Sequence, residues 1–351
     1  MLLGALLIAF LLSMFLTPYV GKLAFKLGAT DKPNARKVHS KIMPRMGGLA
    51  IFLSFLFTFL IFSDRVMEQL PLLIGAILII IIGIADDMVE LRAAPKFLGQ
   101  IGAALIIVLW GGLEVEFINL PFGEPLQFGV LSIPITILWI VGIINAINLI
   151  DGLDGLAGGV STIALITIAI MAVIKQDIFV ATVALIVIGA TVGFLKYNFH
   201  PAKIFMGDTG AMFLGYVIAV LSLQGFKNVT MVSLIIPIII LGVPISDTFF
   251  AIIRRVVNKK PISAPDKSHL HHCLLNVGFT HKQTVILIYA LAASFGLAAI
   301  IFSYATLWGA LLIIAILLIT IEIIVEKIGL VSSNYQPLLK ILNLKNVKDK
   351  S

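Results

Sequence analysis

Charge is scarce in this chain. Only 12% of its 351 residues are Asp, Glu, Lys or Arg, whereas a soluble domain carries about 25% of such residues. Hydrophobic residues make up 60% of the chain, and the mean hydropathy is +1.11. A water-soluble globular protein is therefore excluded, and we expect a lipid bilayer to surround most of the chain.

Two features of secreted proteins are also missing. Cys273 is the single cysteine, so the chain has no internal disulfide framework. No basic residue precedes the first apolar run, Leu2 to Val20, whereas Lys22 and Lys26 follow it. Because a cleaved signal peptide has the opposite polarity, we expect an uncleaved first helix.

Long apolar runs, by contrast, recur along the chain. A membrane-spanning helix needs about 20 mostly apolar residues. The pattern predicts eleven spans, at residues 2–21, 47–63, 70–85, 97–113, 131–150, 155–174, 177–195, 211–226, 229–253, 283–303 and 306–326. No linker or repeat divides them. We therefore predict an all-α polytopic membrane protein, with one integral domain at residues 1–326 and a cytosolic basic tail at residues 327–351.

The basic residues predict the orientation. With the N-terminus outside, all but three of the 25 Lys and Arg residues fall on the inner side, the exceptions being Arg65, Lys175 and Lys227. Positive charge marks the cytosolic side, so we predict a cytosolic C-terminus. The net charge of +7 then mainly sets topology and does not indicate nucleic acid. The outer loop Glu114–Gly129 alternates apolar and polar residues and predicts a small external β-hairpin.

Acidic side chains concentrate at the predicted cytosolic ends of the helices. They are Asp86 and Asp87 at the end of the third span, Asp151 and Asp154 after the fifth, Asp208 ahead of the eighth, and Asp247 inside the ninth. Any one of them could be an interfacial anchor, but ionisable groups at the membrane edge are costly and often functional. Clustered carboxylates repel unless a cation joins them. A hard cation such as Mg²⁺, with Mn²⁺ as an alternative, is the expected partner.

The end of the fifth span carries a polar pattern. Asn145, Asn148 and Asp151 recur every three residues, which places them along one face of the final helical turn. Gly152 and Gly155 then allow the backbone to turn and to approach a ligand closely. A polar contact between helices is the alternative interpretation.

Two further patterns lie in the ninth span and the loop after it. Gly242-Val243-Pro244 is expected to break or kink its helix. The string from His269 to Cys273 allows a zinc site, but its spacing is too tight for one tetrahedral centre. Hydrogen bonding to sugar and phosphate oxygens fits better. A transporter is the rival class, yet transporter sites lie near the bilayer midplane between repeats, and here the acids lie at one edge.

Four motifs together resemble a known family. Asp86-Asp87, the string from Asn145 to Leu156, the string from Phe205 to Gly210, and His269-Leu270-His271-His272 resemble, in this order, the motif set of the polyprenyl-phosphate N-acetylhexosamine-1-phosphate transferases. Asp247 with Arg254-Arg255, and the form of the histidine motif, resemble the bacterial UDP-GlcNAc branch. The segment from Ser263 to His272 is most similar to Gram-positive enzymes that begin wall teichoic acid. The phospho-MurNAc-pentapeptide branch usually has three adjacent histidines and stays an alternative.

The resemblance implies a reaction and a role for each matching residue. UDP-GlcNAc and undecaprenyl phosphate would give GlcNAc-diphosphoundecaprenol and UMP at the cytosolic face of the plasma membrane, with Mg²⁺. The implied roles are catalysis for Asp86 and Asp87, metal binding for Asp208 and Asn148, nucleotide-sugar binding for Asn145, Asp151, Asp154, Asn198, His269, His271 and His272, and phosphate binding for Lys41, Lys96, Arg254 and Arg255. A direct attack or a phospho-enzyme, and a monomer or a homodimer, stay open.

The predicted orientation can be measured by cysteine labelling. In a Cys273→Ser background, a cysteine in place of Lys345 is expected to resist a membrane-impermeant thiol reagent in intact cells, because the tail would lie in the cytosol. A cysteine in place of Lys175, on the predicted outer side, is the matched control and is expected to react. Ready labelling at position 345 would contradict the orientation.

Overall fold

The computed structural model is mainly helical. It describes residues 1–31, 42–63, 66–118, 124–225, 234–259, 261, 266, 268–330 and 335–341. The helices are α1 (Leu2–Leu27), α2 (Gly47–Phe62), α3 (Leu70–Val89), α4 (Ala93–Leu105), α5 (Ser132–Ile150), α6 (Leu156–Ile174), α7 (Ile178–Asn198), α8 (Gly207–Gln224), α9 (Ile235–Ile240), α10 (Gly242–Val257), α11 (Leu270–Asn276), α12 (His281–Phe302), α13 (Leu307–Ile328) and α14 (Pro337–Ile341). A π-helical turn, Ile106–Trp110, continues α4, and a 3₁₀ turn, Gly129–Leu131, precedes α5.

Four strands of two residues each form two small antiparallel pairs. The first pair joins β1 (Thr30–Asp31) to β2 (Met43–Pro44). The second joins β3 (Phe117–Ile118) to β4 (Leu126–Gln127) within the loop that was expected to form a hairpin. Residues 119–123 of that loop lie outside the described residues, and its position outside the cell stays a prediction.

The polytopic architecture is confirmed. In the described part of the chain, nine helices are long and apolar enough to cross a membrane. Helix α2, with 16 residues, is shorter, and the predicted ninth span is divided between α9 and α10. The expected break at Gly242 is therefore present. The number of eleven crossings and their orientation stay predictions.

Three helix ends differ from the hydropathy pattern. Helix α8 begins at Gly207 instead of 211, so Asp208 lies in its first turn and not ahead of it. Helix α3 continues to Val89 and therefore includes Asp86 and Asp87, and Lys96 lies in the first turn of α4. A hydropathy pattern places a helix end at the first charged residue. The helical backbone hydrogen bonds continue past that residue when its side chain has partners.

Helix α8 forms the centre of the bundle. Its span is 94% buried, whereas the span of α13 is 6% buried, and α8 packs against α2, α3, α5 and α6. Small residues allow this packing, because helices in lipid associate through close backbone approach. A Cβ on Gly48 would lie 2.0 Å from the Gly210 nitrogen, and one on Gly83 would lie 2.4 Å from the Thr209 Cα. These contacts hold the start of α2 and the end of α3 against the start of α8.

The contact at Gly48 gives a test of this packing. Gly48→Ala is expected to destabilise the protein by about 3 kcal/mol or more, because the methyl group meets backbone atoms that cannot rotate away. Gly142→Ala is the matched control, since a Cβ there meets nothing within 4 Å and alanine favours a helix by up to about 1 kcal/mol. Thermal melting in detergent compares the two, and equal melting temperatures would contradict the close contact.

Candidate active site

Three carboxylates meet where α3 ends and α8 begins. Asp86 and Asp87 occupy the last turn of α3 and are each 4% exposed. Asp208 lies in the first turn of α8. Each of the three offers a carboxylate oxygen, and these oxygens all lie within 4.8 Å of one another. Carboxylates this close repel unless cations neutralise them.

Asp87 caps the N-terminus of α8. Its Oδ1 accepts a hydrogen bond from the Asp208 backbone N–H at 2.9 Å. Its Oδ2 accepts one from the Thr209 N–H at 3.2 Å and one from the Thr209 hydroxyl at 2.6 Å. A carboxylate in this place satisfies N–H groups that lack helical partners and complements the helix dipole. Asp87 therefore fixes the backbone of Asp208.

Two cations neutralise most of the cluster. Arg45 places Nη2 at 2.9 Å from Asp208 Oδ1 and Nε at 3.1 Å from Asp87 Oδ1. Lys96 places Nζ at 3.1 Å from Asp86 Oδ2 and also pairs with Asp208. Burial alone would lower the pKa of Arg45, but the Asp87 and Asp208 carboxylates raise it above its ordinary value. Three carboxylates and two cations leave one net negative charge.

Arg45 is a site residue that the sequence patterns did not single out. In the sequence it is one basic residue among many on the predicted inner side. The signal that could have distinguished it is Pro44-Arg45-Met46-Gly47-Gly48, since paired glycines at the start of a helix allow close approach of another backbone. Here that backbone is the start of α8, which carries Asp208.

A cavity of about 780 Å³ adjoins the cluster. Predicted residues in its wall are Asn148, Asp151, Asp154, Asn198, Asp208 and His272. Ligand cavities in proteins are typically about 300–1,000 Å³, so a nucleotide sugar is of suitable size. Burial, followed by the negative charge of Asp208, raises the pKa of Asp151 to about 7.

Asn198 and Asp154 form hydrogen bonds between the two loops that border this cavity. The side-chain oxygen of Asn198 accepts a hydrogen bond from the Gly155 N–H at 3.0 Å, and its amide nitrogen donates to the Ile204 carbonyl at 2.9 Å. Asp154 Oδ2 lies 2.8 Å from His200 Nδ1 and accepts from the backbone N–H of Ala202 at 3.1 Å. The turn after α5 and the loop after α7 are thereby held together.

The histidine motif lies behind the same turn. His269 Nδ1 lies 2.8 Å from Asp247 Oδ2, and Asp247 Oδ1 accepts from the Leu270 N–H at 2.7 Å. Asp247 thus positions α11 and does not join the three carboxylates. His271 packs against Gly152, where a Cβ would lie 2.2 Å from its Nε2. Burial lowers the pKa of His271 to about 3, which keeps the ring neutral.

Arg254 forms a clamp at the back of this loop. Its Nε donates to Asp266 Oδ2 at 3.0 Å, and its Nη1 donates to the Leu330 carbonyl at 2.7 Å. Asp266 Oδ1 in turn accepts from the Ser268 N–H at 2.9 Å, one residue before His269. The Arg254 clamp, formed by Arg254, Asp266 and Leu330, therefore connects α10 to the histidine motif and to the end of α13.

Several predicted residues lie away from the cavity wall. Asn145 donates to the Gln100 side chain at 2.7 Å, so it makes the helix–helix contact that was the alternative interpretation, here between α5 and α4. Among the described residues that line the cavity, neither Arg254 nor Arg255 is present. Lys41 lies outside the described residues.

The donor atoms favour a hard cation at the carboxylate cluster. Carboxylate oxygens are the ligands that Mg²⁺ prefers, and the Asn148 amide lines the same cavity as Asp208. A second group, Asp154, His200 and His281, also brings ligand atoms within 4.8 Å. There the two imidazole rings stack at 4.2 Å with 24° between their planes, so their in-plane lone pairs do not converge on one point.

Known proteins resemble this chain over nearly its whole length. The model of glycosyl transferase family 4 matches residues 69–226. A Bacillus subtilis (strain 168) protein named probable undecaprenyl-phosphate N-acetylglucosaminyl 1-phosphate transferase is 52% identical over 341 residues, which cover 96% of this chain and 94% of the relative.

More distant relatives act on related substrates. A decaprenyl-phosphate N-acetylglucosaminephosphotransferase of Mycolicibacterium smegmatis is 34% identical, over 90% of this chain and 87% of the relative. A phospho-N-acetylmuramoyl-pentapeptide-transferase of Halalkalibacterium halodurans is 32% identical, over 86% of this chain and 95% of the relative. The resemblance carried by the four motifs is thereby confirmed, and this chain belongs to the polyprenyl-phosphate sugar-1-phosphate transferases of glycosyl transferase family 4.

Proposed function

We propose that this protein transfers GlcNAc-1-phosphate from UDP-GlcNAc to undecaprenyl phosphate, giving GlcNAc-diphosphoundecaprenol and UMP. The observation that carries the proposal is the carboxylate cluster beside a cavity of about 780 Å³, at the ends of membrane helices. The name of the Bacillus subtilis relative supports the same transferred group and the same acceptor. A water-soluble donor and a lipid acceptor both reach a site in this position.

The bond changes define what the site has to do. A phosphate oxygen of the lipid attacks the phosphorus that bears GlcNAc, a new P–O bond forms, and the bond from that phosphorus to the bridging oxygen breaks. The electron pair leaves with UMP. The second pKa of a phosphate monoester is about 6, so the lipid phosphate is largely ionised at neutral pH and needs positioning more than deprotonation. A single direct displacement follows.

The two adjacent aspartates take different roles in this scheme. Asp208 and Asp86, with Asn148 nearby, would hold Mg²⁺ or Mn²⁺, which when bound would neutralise the diphosphate and the departing phosphate. Asp87 already accepts three hydrogen bonds and pairs with Arg45. We therefore assign Asp87 to positioning and Asp86 to the metal. Asp151, whose pKa burial raises to about 7, lies in the cavity wall and is available there to accept a proton.

The cytosolic face is the proposed location, because nucleotide sugars are cytosolic and the basic residues predict that orientation. The lipid-linked product would begin a cell-wall polymer such as wall teichoic acid. The phospho-MurNAc-pentapeptide transferase activity is the second candidate, since a relative with that name is 32% identical.

A donor panel separates these candidates. Purified protein receives undecaprenyl phosphate, Mg²⁺ and either UDP-GlcNAc or UDP-MurNAc-pentapeptide, and UMP release is measured. Release from UDP-GlcNAc alone is the expected result. Release from the pentapeptide donor alone would replace the proposed donor, and no release from either would exclude both transferases.

Asp208 is the residue on which the metal proposal depends most. Asp208→Asn is expected to lower UMP release by about 100-fold or more, because an amide keeps the size and removes the charge that a hard cation needs. Raising the Mg²⁺ concentration is expected to restore part of the rate. Asp177→Asn is the matched control, since that side chain caps α7 and asparagine caps equally well. A near-normal rate at ordinary Mg²⁺ would limit Asp208 to a role at the start of α8.

The Arg254 clamp gives a prediction about the sugar donor. Asp266→Asn is expected to raise the KM for UDP-GlcNAc by about tenfold while kcat falls by less than about threefold. The buried Arg254 guanidinium loses the charged partner that connects it to the histidine motif, whereas the three carboxylates keep their contacts. Steady-state UMP release over a range of donor concentrations measures both constants. An unchanged KM, or a fall in kcat alone, would show that the Arg254 clamp does not contribute to donor binding.

A further inference from the structure

Arg45 is held in place by its backbone. Its N–H donates to the Ala29 carbonyl at 3.0 Å. On one side the Phe205 N–H donates to the Pro44 carbonyl at 2.9 Å, and on the other the Gly47 N–H donates to the Phe205 carbonyl at 2.9 Å. The residue therefore has a fixed position between the end of α1 and the start of α8, and its side chain needs little ordering when a ligand binds.

Its guanidinium spans the whole carboxylate cluster. Beyond the contacts with Asp87 and Asp208, Nη2 lies 3.9 Å from Asp86 Oδ2. Within the described part of the chain, Arg45 is the one cation that approaches all three carboxylates, whereas Lys96 pairs with two of them.

Part of the guanidinium is still available. An arginine carries five N–H donors in a rigid planar fork. In Arg45, Nε and Nη2 serve the carboxylates, and Nη1 donates to none of the described residues. The side chain is 24% exposed and lines the cavity. This fork suits the oxygens of a phosphate better than a lysine does.

We propose that Arg45 is a catalytic residue whose guanidinium joins the carboxylate cluster to the diphosphate of the nucleotide sugar. One edge holds the Asp87 and Asp208 carboxylates, and the remaining N–H groups donate to the phosphate that leaves as UMP. This inference rests on the proposed function. It gives the site a fixed positive group where negative charge develops on the departing phosphate.

Loss of the Arg45 charge would have an effect that distinguishes a catalytic role from a purely structural one. Without Arg45, the cluster would change from one net negative charge to two. A divalent cation would then bind at least as tightly as before, because a positive charge close to its ligands has gone. Turnover would fall all the same, because the departing phosphate would lose its donor.

The test combines a metal titration with kinetics for Arg45→Gln, Arg45→Lys and the exposed control Lys26→Gln. Free Mn²⁺ is followed by electron paramagnetic resonance without substrates, and kcat and KM for UDP-GlcNAc are measured by UMP release. Arg45→Gln is expected to bind Mn²⁺ at least as tightly as the wild type, with kcat lower by about 100-fold or more. Arg45→Lys is expected to recover about tenfold of that loss, and Lys26→Gln to match the wild type.

Four results would overturn the inference. A kcat for Arg45→Gln within about threefold of the wild type would show that the guanidinium does not serve the reaction. Loss of Mn²⁺ binding together with kcat would show that Arg45 only builds the carboxylate site. If Arg45→Gln does not fold, the test rests on Arg45→Lys. A wild-type kcat in Arg45→Lys would show that the reaction does not need the planar N–H donors of a guanidinium. If neither the wild type nor the variants release UMP, the proposed function is wrong and this inference is wrong with it.

Discussion

The neutralisation of three carboxylates at the meeting point of α3 and α8 is the interaction on which the rest of the structure depends. Asp86, Asp87 and Asp208 stand at the ends of apolar helices long enough to cross a membrane, where unpaired charge is costly. Arg45 and Lys96 remove most of that cost and still leave the cluster negative. The same contacts stabilise the fold and leave one net negative charge at the proposed cation site.

Packing and chemistry are joined at the N-terminus of α8. Helix α8 is almost completely enclosed, and close backbone contacts at Gly48 and Gly83 bring α2 and α3 to its first turn. Asp87 supplies the hydrogen bonds that this turn needs, so Asp208 is presented by a rigid helix end and not by a free loop. Rigid presentation matters, because a phosphoryl transfer depends mainly on positioning and on fixed charges.

The sequence predicts much of this site and misses the rest for physical reasons. Carboxylates at the ends of apolar runs are recognisable because burying charge is costly, and Asp208 is recognisable in this way. The spacing from Asn145 to Asp151 predicts that these side chains share one helix face, but it does not predict which helix packs against that face. In the structure, Asn145 donates a hydrogen bond to Gln100 on α4. The partners of Arg254 lie 12 and 76 residues along the chain, and Arg45 lies 163 residues from Asp208. Such pairings come from tertiary packing, which local patterns do not encode.

We propose that these carboxylates, supported by Arg45 and Lys96, form the divalent-cation site. Anomalous scattering from crystals grown with Mn²⁺ tests it most directly. A strong peak is expected about 2.0–2.3 Å from a carboxylate oxygen of Asp208, the range for oxygen ligands of such cations. A peak beside Asp154, His200 and His281 instead, or no peak at the three carboxylates, would contradict it.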